Sequence, residues 1–300
     1  MKAVQFAEYG GPEVLRLVDT DEPHASPGQV RIAVRAAGVN GIDWKIRAGD
    51  MREQVPLPLP TGTGVDAAGV VDEVGDGVDG VQVGDAVFGT GAATLAEFAV
   101  LTSWAAKPEE LSFDEAAGYP VPVETAVRIL GQIGVEPGQT LLVSGAAGGV
   151  GSAVVQIARQ RGITVIGTAS EGHQDYLRSL GAVPTTYGAG LVDRVRELAP
   201  DGVDAALDIA GSGVIGELIA LTGEPSKVLS IADFSAPEQG AQVSSTSTNQ
   251  VEAFSEAARL FTEGAFHLRV EKAFPLAAAA DAHAASMAGH VAGRIVVTVP

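Results

Sequence analysis

One stretch limits what this chain can fold into more than any other: Leu141-Leu142-Val143-Ser144-Gly145-Ala146-Ala147-Gly148-Gly149-Val150-Gly151. A short apolar strand runs into a turn of small residues, and 152–160 continues with helical character. Small residues let a backbone approach a pyrophosphate closely, and a helix N-terminus adds free N–H groups with about half a positive charge. Gly151 permits tight packing of helix on strand. The spacing Gly145-x-x-Gly148-x-x-Gly151 is one residue longer at its start than the strict G-x-G-x-x-G form, so the glycines alone are a weak signal. The strand before, the helix after and a second apolar strand at 164–167 make it a dinucleotide loop, lined by Ala147, Gly148, Gly149 and Val150. A purely structural glycine turn is the other reading.

The surrounding pattern extends this unit. Strands at 141–144, 164–167, 205–209 and 227–231 alternate with helices such as 152–160 and 174–180. That order predicts an α/β, Rossmann doubly wound parallel sheet with right-handed crossovers, placed at 119–264. Residues 1–118 read as β-rich instead. Val30, Ile32 and Val34 alternate with Arg31, Ala33 and Arg35, the period of a half-buried strand. Further short strands at 2–6, 69–74 and 97–100 are separated by turns at 56–64 and 75–84, a small barrel or sandwich. The segment 265–300 gives a strand at 270–274, an Ala-rich helix at 277–288 and a strand at 293–299, expected to return to the first domain.

Composition narrows the chemistry. A formal charge of −18 argues against nucleic acid and against anionic membrane surfaces as partners. Any cofactor phosphate must then be held by local dipoles against an unfavourable global field. The chain has no cysteine, which excludes disulfides and thiolate zinc sites. With 300 residues, 46% apolar and 5% aromatic, it has a sizeable core of Val, Ala, Leu and Ile. No basic stretch precedes an apolar one at the N-terminus, and no apolar run is long enough to span a membrane. A soluble, cytoplasmic protein is the expectation.

The end of the second strand of the unit reads Ile166-Gly167-Thr168-Ala169-Ser170. Sites for NAD usually place an acid about 20 residues after the glycine loop, to hold the ribose hydroxyls. Ala169 stands where that acid is sought, while Thr168 and Ser170 can donate to a 2′-phosphate, with His173 and Gln174 the next nearest groups. NADP(H) is therefore the expected cofactor. Two alternatives stay open: a shifted loop register would make Glu171 the missing acid, and Thr168 and Ser170 also suit an ordinary turn and helix cap.

Three further stretches join the glycine loop in order: Ala37-Gly38-Val39-Asn40-Gly41-Ile42-Asp43, Gly64-Val65-Asp66-Ala67-Ala68-Gly69-Val70-Val71 and Val83-Gly84-Asp85-Ala86-Val87-Phe88-Gly89. With Ala146–Gly151 and Gly293-Arg294-Ile295-Val296-Val297, the chain resembles the medium-chain dehydrogenase/reductase superfamily, in its zinc-free quinone oxidoreductase branch, over nearly its whole length. The resemblance implies a GroES-like catalytic domain beside the Rossmann domain, an active site in the cleft between them, and reduction of quinones or activated alkenes by NADPH. It also implies a homodimer, for which 242–246 is a candidate edge strand.

Zinc can be judged from residues. Zinc members of the superfamily carry Cys where this chain has Asn40, and Gly-His-Glu where it has Gly64-Val65-Asp66. Valine cannot ligate a metal, and a catalytic zinc needs about three protein ligands. The five histidines are scattered, with no pair four residues apart. Without a Lewis acid the hydride acceptor must already be activated, as quinones and enones are.

Asn40 and Asp43 keep the family's Asn-x-x-Asp spacing. The resemblance sets Asn40 near the nicotinamide and the acceptor oxygen, and Asp43 either orders the loop or takes part in chemistry. Lys45 stands where related quinone reductases often carry Tyr, so it either supplies a proton or charge to the acceptor or is a solvated surface lysine. Trp44 is a cleft wall or a packed aromatic. Thr125 fits a Thr-Ala pair beside the nicotinamide or is a helix N-terminal residue. Ala210, Ile231, Ala232 and Phe234, at strand ends, are candidate nicotinamide contacts, and Asp208 reads as structural. Arg294 replaces a common Lys and either neutralises cofactor phosphate or ends its strand at the surface. Two further readings compete with the reductase. One is a non-catalytic NADPH-binding sensor or structural module, suggested by the lack of an evident acid or base. The other is an interaction subunit that has lost cofactor binding, against which the intact loop argues.

Overall fold

Strand Val30–Val39 organises the first half of the computed structural model, which describes residues 1–244 and 249–300. Its alternating Val30, Ile32 and Val34 are buried, as the two-residue period requires. It pairs antiparallel with Asp66–Val74, which pairs with Ala86–Ala92, which pairs with Phe98–Ala106. Phe98–Ala106 then returns to the first half of Val30–Val39, so four strands close on themselves and leave no free edge among them. The second half of Val30–Val39 pairs instead with Arg294–Thr298, which carries Val270–Pro275 on its far side. The chain's last strand thus lies beside its residues 36–39.

Contacts group Met1–Val121 with Gln250–Pro300 in one compact unit and Pro122–Asn249 in a second. The sequence reading carried the cofactor domain to 264; helix Gln250–Thr262 instead belongs with the first unit. Phe254 on that helix packs on Phe88 with ring centroids 6.0 Å apart, and Thr90 donates to Gln250 Oε1 at 3.1 Å. Apolar helical spacing shows that a face is buried, not which neighbour buries it.

The second unit holds a six-stranded parallel sheet in the order Val183–Thr185, Thr164–Thr168, Thr140–Ser144, Ala205–Asp208, Val228–Ser230, Gln242–Val243. The order reverses between Thr140–Ser144 and Ala205–Asp208, the switch point of a doubly wound fold. Leu142, Ile166, Ala206 and Val228 meet Leu191, Val195, Ile215 and Leu218 of the crossover helices in a buried cluster. Gln242–Val243 sits at the sheet edge considered for dimer pairing; residues 245 and 246 of that segment lie outside the described residues.

Helix Gly149–Gln160 seats itself through Gly151, where an added Cβ would lie 2.6 Å from the Cα of Ala146. Gly151→Ala should therefore lift the helix off the loop and cost about 1–3 kcal/mol in denaturant unfolding. An unchanged midpoint would mean the backbone gives way easily there.

Candidate functional site

A buried polar cluster forms in the first unit where strand Val30–Val39 turns into helix Gly41–Ala48. Asn40 is the extended N-cap, and its backbone N donates to Asp43 Oδ2 at 2.7 Å. A carboxylate in the first turn accepts the orphan N–H of the cap and suits the positive end of the helix. Asp43 therefore orders a helix start rather than a loop.

The Asn40 side chain turns inward. Its Nδ2 donates to Asp66 Oδ2 at 2.9 Å, and its Oδ1 accepts from Arg294 Nη2 at 2.9 Å. Arg294 Nη2 also lies 3.3 Å from Asp66 Oδ2, and Val121 N donates to Asp66 Oδ1 at 3.1 Å. Asn40, Asp43, Asp66 and Arg294 are all buried. Gly38 leaves the room: a Cβ there would meet Arg294 Nη2 at 2.9 Å. Arg294 is thus neither a surface strand end nor a free cation, because its guanidinium is joined to Asp66 and Asn40.

Burial dominates the electrostatics. Loss of water pushes the Asp43 carboxyl up to about 7; its bond from Asn40 and the Arg294 charge oppose this, while Asp66 adds to it. Asp66 rises to about 6 for the same reason, held back by Arg294, Asn40 and Val121. Burial also lowers the proton affinity of Arg294, which the two carboxylates counter. Asp43 Oδ1 and Arg294 Nε have no hydrogen-bond partner among the described residues. Sequence reasoning weighed Asp66 only as a failed zinc ligand. Its one legible signal was an acid immediately before the apolar run Ala67 to Val71.

Lys45 is half-buried, with its Nζ 5.7 Å from the centre of the Trp44 ring. Among the described residues no hydrogen bond joins it to Asn40, Asp43 or Asp66. Trp44 is likewise partly buried, with its Nε1 enclosed and without a hydrogen-bond partner among the described residues.

The glycine loop lies at the carboxyl edge of the second unit's sheet. Gly145 has φ +84°, a conformation costly for any residue with a Cβ, and a Cβ there would lie 3.1 Å from Ala210 at the switch point. Thr168 Oγ1 accepts from Gly145 N at 3.1 Å, and Thr168 O accepts from Ala146 N at 3.0 Å. Ser152 Oγ donates to the Ala147 carbonyl at 3.1 Å. The first N–H groups of the helix, at Gly149, Val150 and Gly151, have no intrahelical acceptor and form an anion-binding end.

Of the residues sought at the ribose end, Thr168 is only 1% exposed and braces the loop from inside instead of presenting its hydroxyl. Ser170 is half-exposed, with Oγ 3.1 Å from His173 Nδ1. Gln174 Nε2 donates to the carbonyls of Ala169, Ser170 and Thr185, so it holds backbone together. Glu171 is exposed in the following 3-10 turn. Sequence reasoning passed over Tyr187. Thr185 pairs in register with Thr168, so the half-exposed Tyr187, two residues beyond, follows the strand end beside that of Ser170. That neighbourhood becomes visible only once 183–185 is known to be a strand.

Asp208 and Ser230 pin the adjoining strand ends: Ser230 Oγ donates to Asp208 Oδ2 at 2.8 Å and accepts from Ala232 N and Asp233 N. Gly211 N donates to Asp208 Oδ1 at 3.0 Å. Ala210, Ile231 and Ala232 are thereby fixed along the same edge as the loop, and Phe234 is 60% exposed beyond them. Thr125 is buried in helix Pro120–Ile133 and accepts from Arg128 Nη2 at 3.4 Å; Arg128 also bonds Glu124 and Ser244.

The residues do not suit zinc. Asp66 uses both oxygens on protein donors, Asn40 is engaged on both sides, and Val65 has no donor atom. Among the described residues no group of three His, Cys, Asp or Glu could hold a metal ion.

Two family models match: the alcohol dehydrogenase GroES-like domain over 26–108, and the zinc-binding dehydrogenase domain over 181–297. The chain is 36% identical over 246 residues to 2-methylene-furan-3-one reductase of Solanum lycopersicum, a match covering 74% of this chain and 62% of that one. It is 34% identical over 240 residues to quinone oxidoreductase of Homo sapiens, covering 76% and 72%. Among solved structures, the native mycobacterial Rv1454c complexed with NADPH superposes with a TM-score of 0.84 at 30% identity, covering 99% of this chain and 100% of that one. The match thus spans less than two thirds of the tomato protein's length.

Two outcomes follow from the cluster. Arg294→Met leaves the buried Asp66 without its counter-charge and should cost about 3–5 kcal/mol; adding Asp66→Asn should return part of the loss. Second, Asp43 keeps its proton in the folded state from its ordinary 3.8 up to about 7, so folding stability falls as pH rises through that window. In denaturant titrations at stepped pH, Asp43→Asn should flatten that fall; an identical slope would place the titration elsewhere.

Proposed function

Since the chain belongs to the medium-chain dehydrogenase/reductase superfamily, we propose that it is an NADPH-dependent oxidoreductase that reduces quinones or α,β-unsaturated carbonyls without zinc. The observation that carries this reading is the Asn40 amide clamped between Arg294 and Asp66. The clamp fixes the amide's orientation. Flipped, it would set its NH₂ against the guanidinium and its oxygen against the carboxylate. Nδ2 keeps a second hydrogen beyond the one given to Asp66. A pre-aimed donor of this kind stabilises the charge that develops on an acceptor oxygen as the acceptor is reduced. Asp43, Asp66 and Arg294 act through Asn40 and are positioning residues. Lys45, whose ammonium lies over Trp44, is assigned no proton step.

Bound NADPH would supply the hydride. The backbone of Ala147, Gly148, Gly149 and Val150 would hold its pyrophosphate at the helix start, where the fixed dipole offsets the chain's overall negative charge. Ser170, His173 and Tyr187 would face the 2′-phosphate end, with Ala169 in place of a repelling acid. Ala210, Ile231, Ala232, Phe234 and Thr125 would border the nicotinamide half. The quinone oxidoreductase and furanone reductase relatives and the NADPH-bound mycobacterial structure support the choice of cofactor and acceptor class.

Oxidation of NADPH, with NADH as control, against a panel of small quinones and enones tests the reading. Turnover should prefer NADPH and be unaffected by a metal chelator. Asn40→Ala should lower kcat about 10²–10³-fold while NADPH still binds. Tight NADPH binding without turnover of any acceptor would favour the non-catalytic module instead.

A further inference from the structure

The far end of helix Gly41–Ala48 carries a second buried guanidinium. Arg47 is 0% exposed; the Glu13 carboxylate acts on it electrostatically but forms no ion pair with it among the described residues. Its partners are neutral: Nε donates to the Gly10 carbonyl at 3.2 Å, Nη1 lies 3.3 Å from His283 Nδ1, and Nη2 donates to Met287 Sδ at 3.1 Å. His283 is fully buried, and burial, with the Arg47 charge, lowers its proton affinity to about 4. The imidazole is therefore neutral at physiological pH, with Nδ1 as the acceptor. A buried cation needs strong acceptors, and a thioether sulfur is the weakest of the three here.

The residue that carries this weakest acceptor reaches solvent: Met287 is 42% exposed near the end of helix Ala279–Ala288. With no cysteine and three methionines in the chain, thioethers are its only oxidisable sulfur. We propose that Met287 is a peroxide-modifiable site whose sulfoxide is captured by Arg47, coupling the oxidation state of helix Ala279–Ala288 to helix Gly41–Ala48. In the step, the Met287 sulfur attacks one oxygen of a hydroperoxide. An S–O bond forms and the O–O bond breaks. The sulfur is oxidised by two electrons, and the peroxide leaves as water or an alcohol. The sulfoxide oxygen is a far stronger acceptor than the thioether; because Nη2 already lies 3.1 Å from the sulfur, the flexible Met287 side chain turns to bring that oxygen onto the guanidinium. Oxidation of methionine usually disrupts packing because it sets a polar group among apolar ones. At Met287 the new polar oxygen finds a buried donor, so the expected sign is reversed.

The test treats the full-length protein with hydrogen peroxide, maps oxidised peptides by mass, and follows amide exchange. Met287 should gain one oxygen, and exchange in Gly41–Ala48 should slow about five- to thirtyfold, the change a charge-assisted bond brings when it replaces a weak one. Methionine sulfoxide reductase should reverse the slowing. Met287→Leu should show no peroxide effect in that helix. Met287→Gln, whose amide oxygen imitates the sulfoxide, should show slowed exchange without peroxide. A Met287 that resists oxidation, or that is oxidised while exchange in Gly41–Ala48 stays equal or quickens, overturns the proposal.

Discussion

The contact of Arg294 with Asp66 and Asn40 is the constraint from which the first unit's interior follows. A guanidinium and a carboxylate taken out of water hold each other only with good geometry and with their remaining donors and acceptors engaged. Here Asp66 gains Asn40 Nδ2 and Val121 N beside Arg294. Four pieces of chain distant in sequence must therefore meet: strand Asp66–Val74, the cap at Asn40, the start of strand Arg294–Thr298 and residue 121. The antiparallel pairing of Arg294–Thr298 with residues 36–39 delivers the arginine to that point. The same bonds leave one N–H of Asn40 unmatched by Asp66, and the catalytic role proposed for this amide rests on that hydrogen.

The second unit solves its electrostatic problem differently. A chain of net charge −18 gains little by gathering cations, and its glycine loop offers backbone dipoles instead. These work only if the loop is rigid. Rigidity comes from inside the sheet: Thr168 binds Gly145 and Ala146, Ser152 binds Ala147, and Asp208 with Ser230 ties the next two strand ends. Side chains that a sequence reader assigns to the ligand are thus partly committed to the scaffold that presents the backbone.

This explains what could be read in advance. The doubly wound sheet was legible because short apolar strands alternating with helices have few other solutions, and the glycine loop marked the switch point. Ser170 and His173, expected at the 2′-phosphate end, lie half-exposed just past a strand end. Thr168 was favoured as a ligand contact because a hydroxyl on the last residue of a strand looks, in sequence, like one just beyond it. Arg294 was misjudged because a charged residue opening a terminal strand ordinarily faces water, and its partner Asp66 lies 228 positions away. Helix Gly41–Ala48 was missed because its eight residues include Asp43, Lys45 and Arg47 and give no clean apolar stripe.

That helix is too short to be stable alone. Both of its buried charges sit where the helix itself favours them, Asp43 in the first turn and Arg47 in the last. The macrodipole therefore offsets part of the desolvation at each end, by up to about 2 kcal/mol in partly buried geometries. The two ends differ in what completes the compensation. At Asp43 it is a nearby cation and a carboxyl that can hold a proton; at Arg47 it is a carbonyl, a neutral imidazole and a thioether. A carboxylate beside Arg47 would satisfy it fully and close that end to chemical change. A methionine leaves the charge under-satisfied and the acceptor open to oxidation, so the one helix presents a fixed polar cluster at its start and an adjustable one at its end.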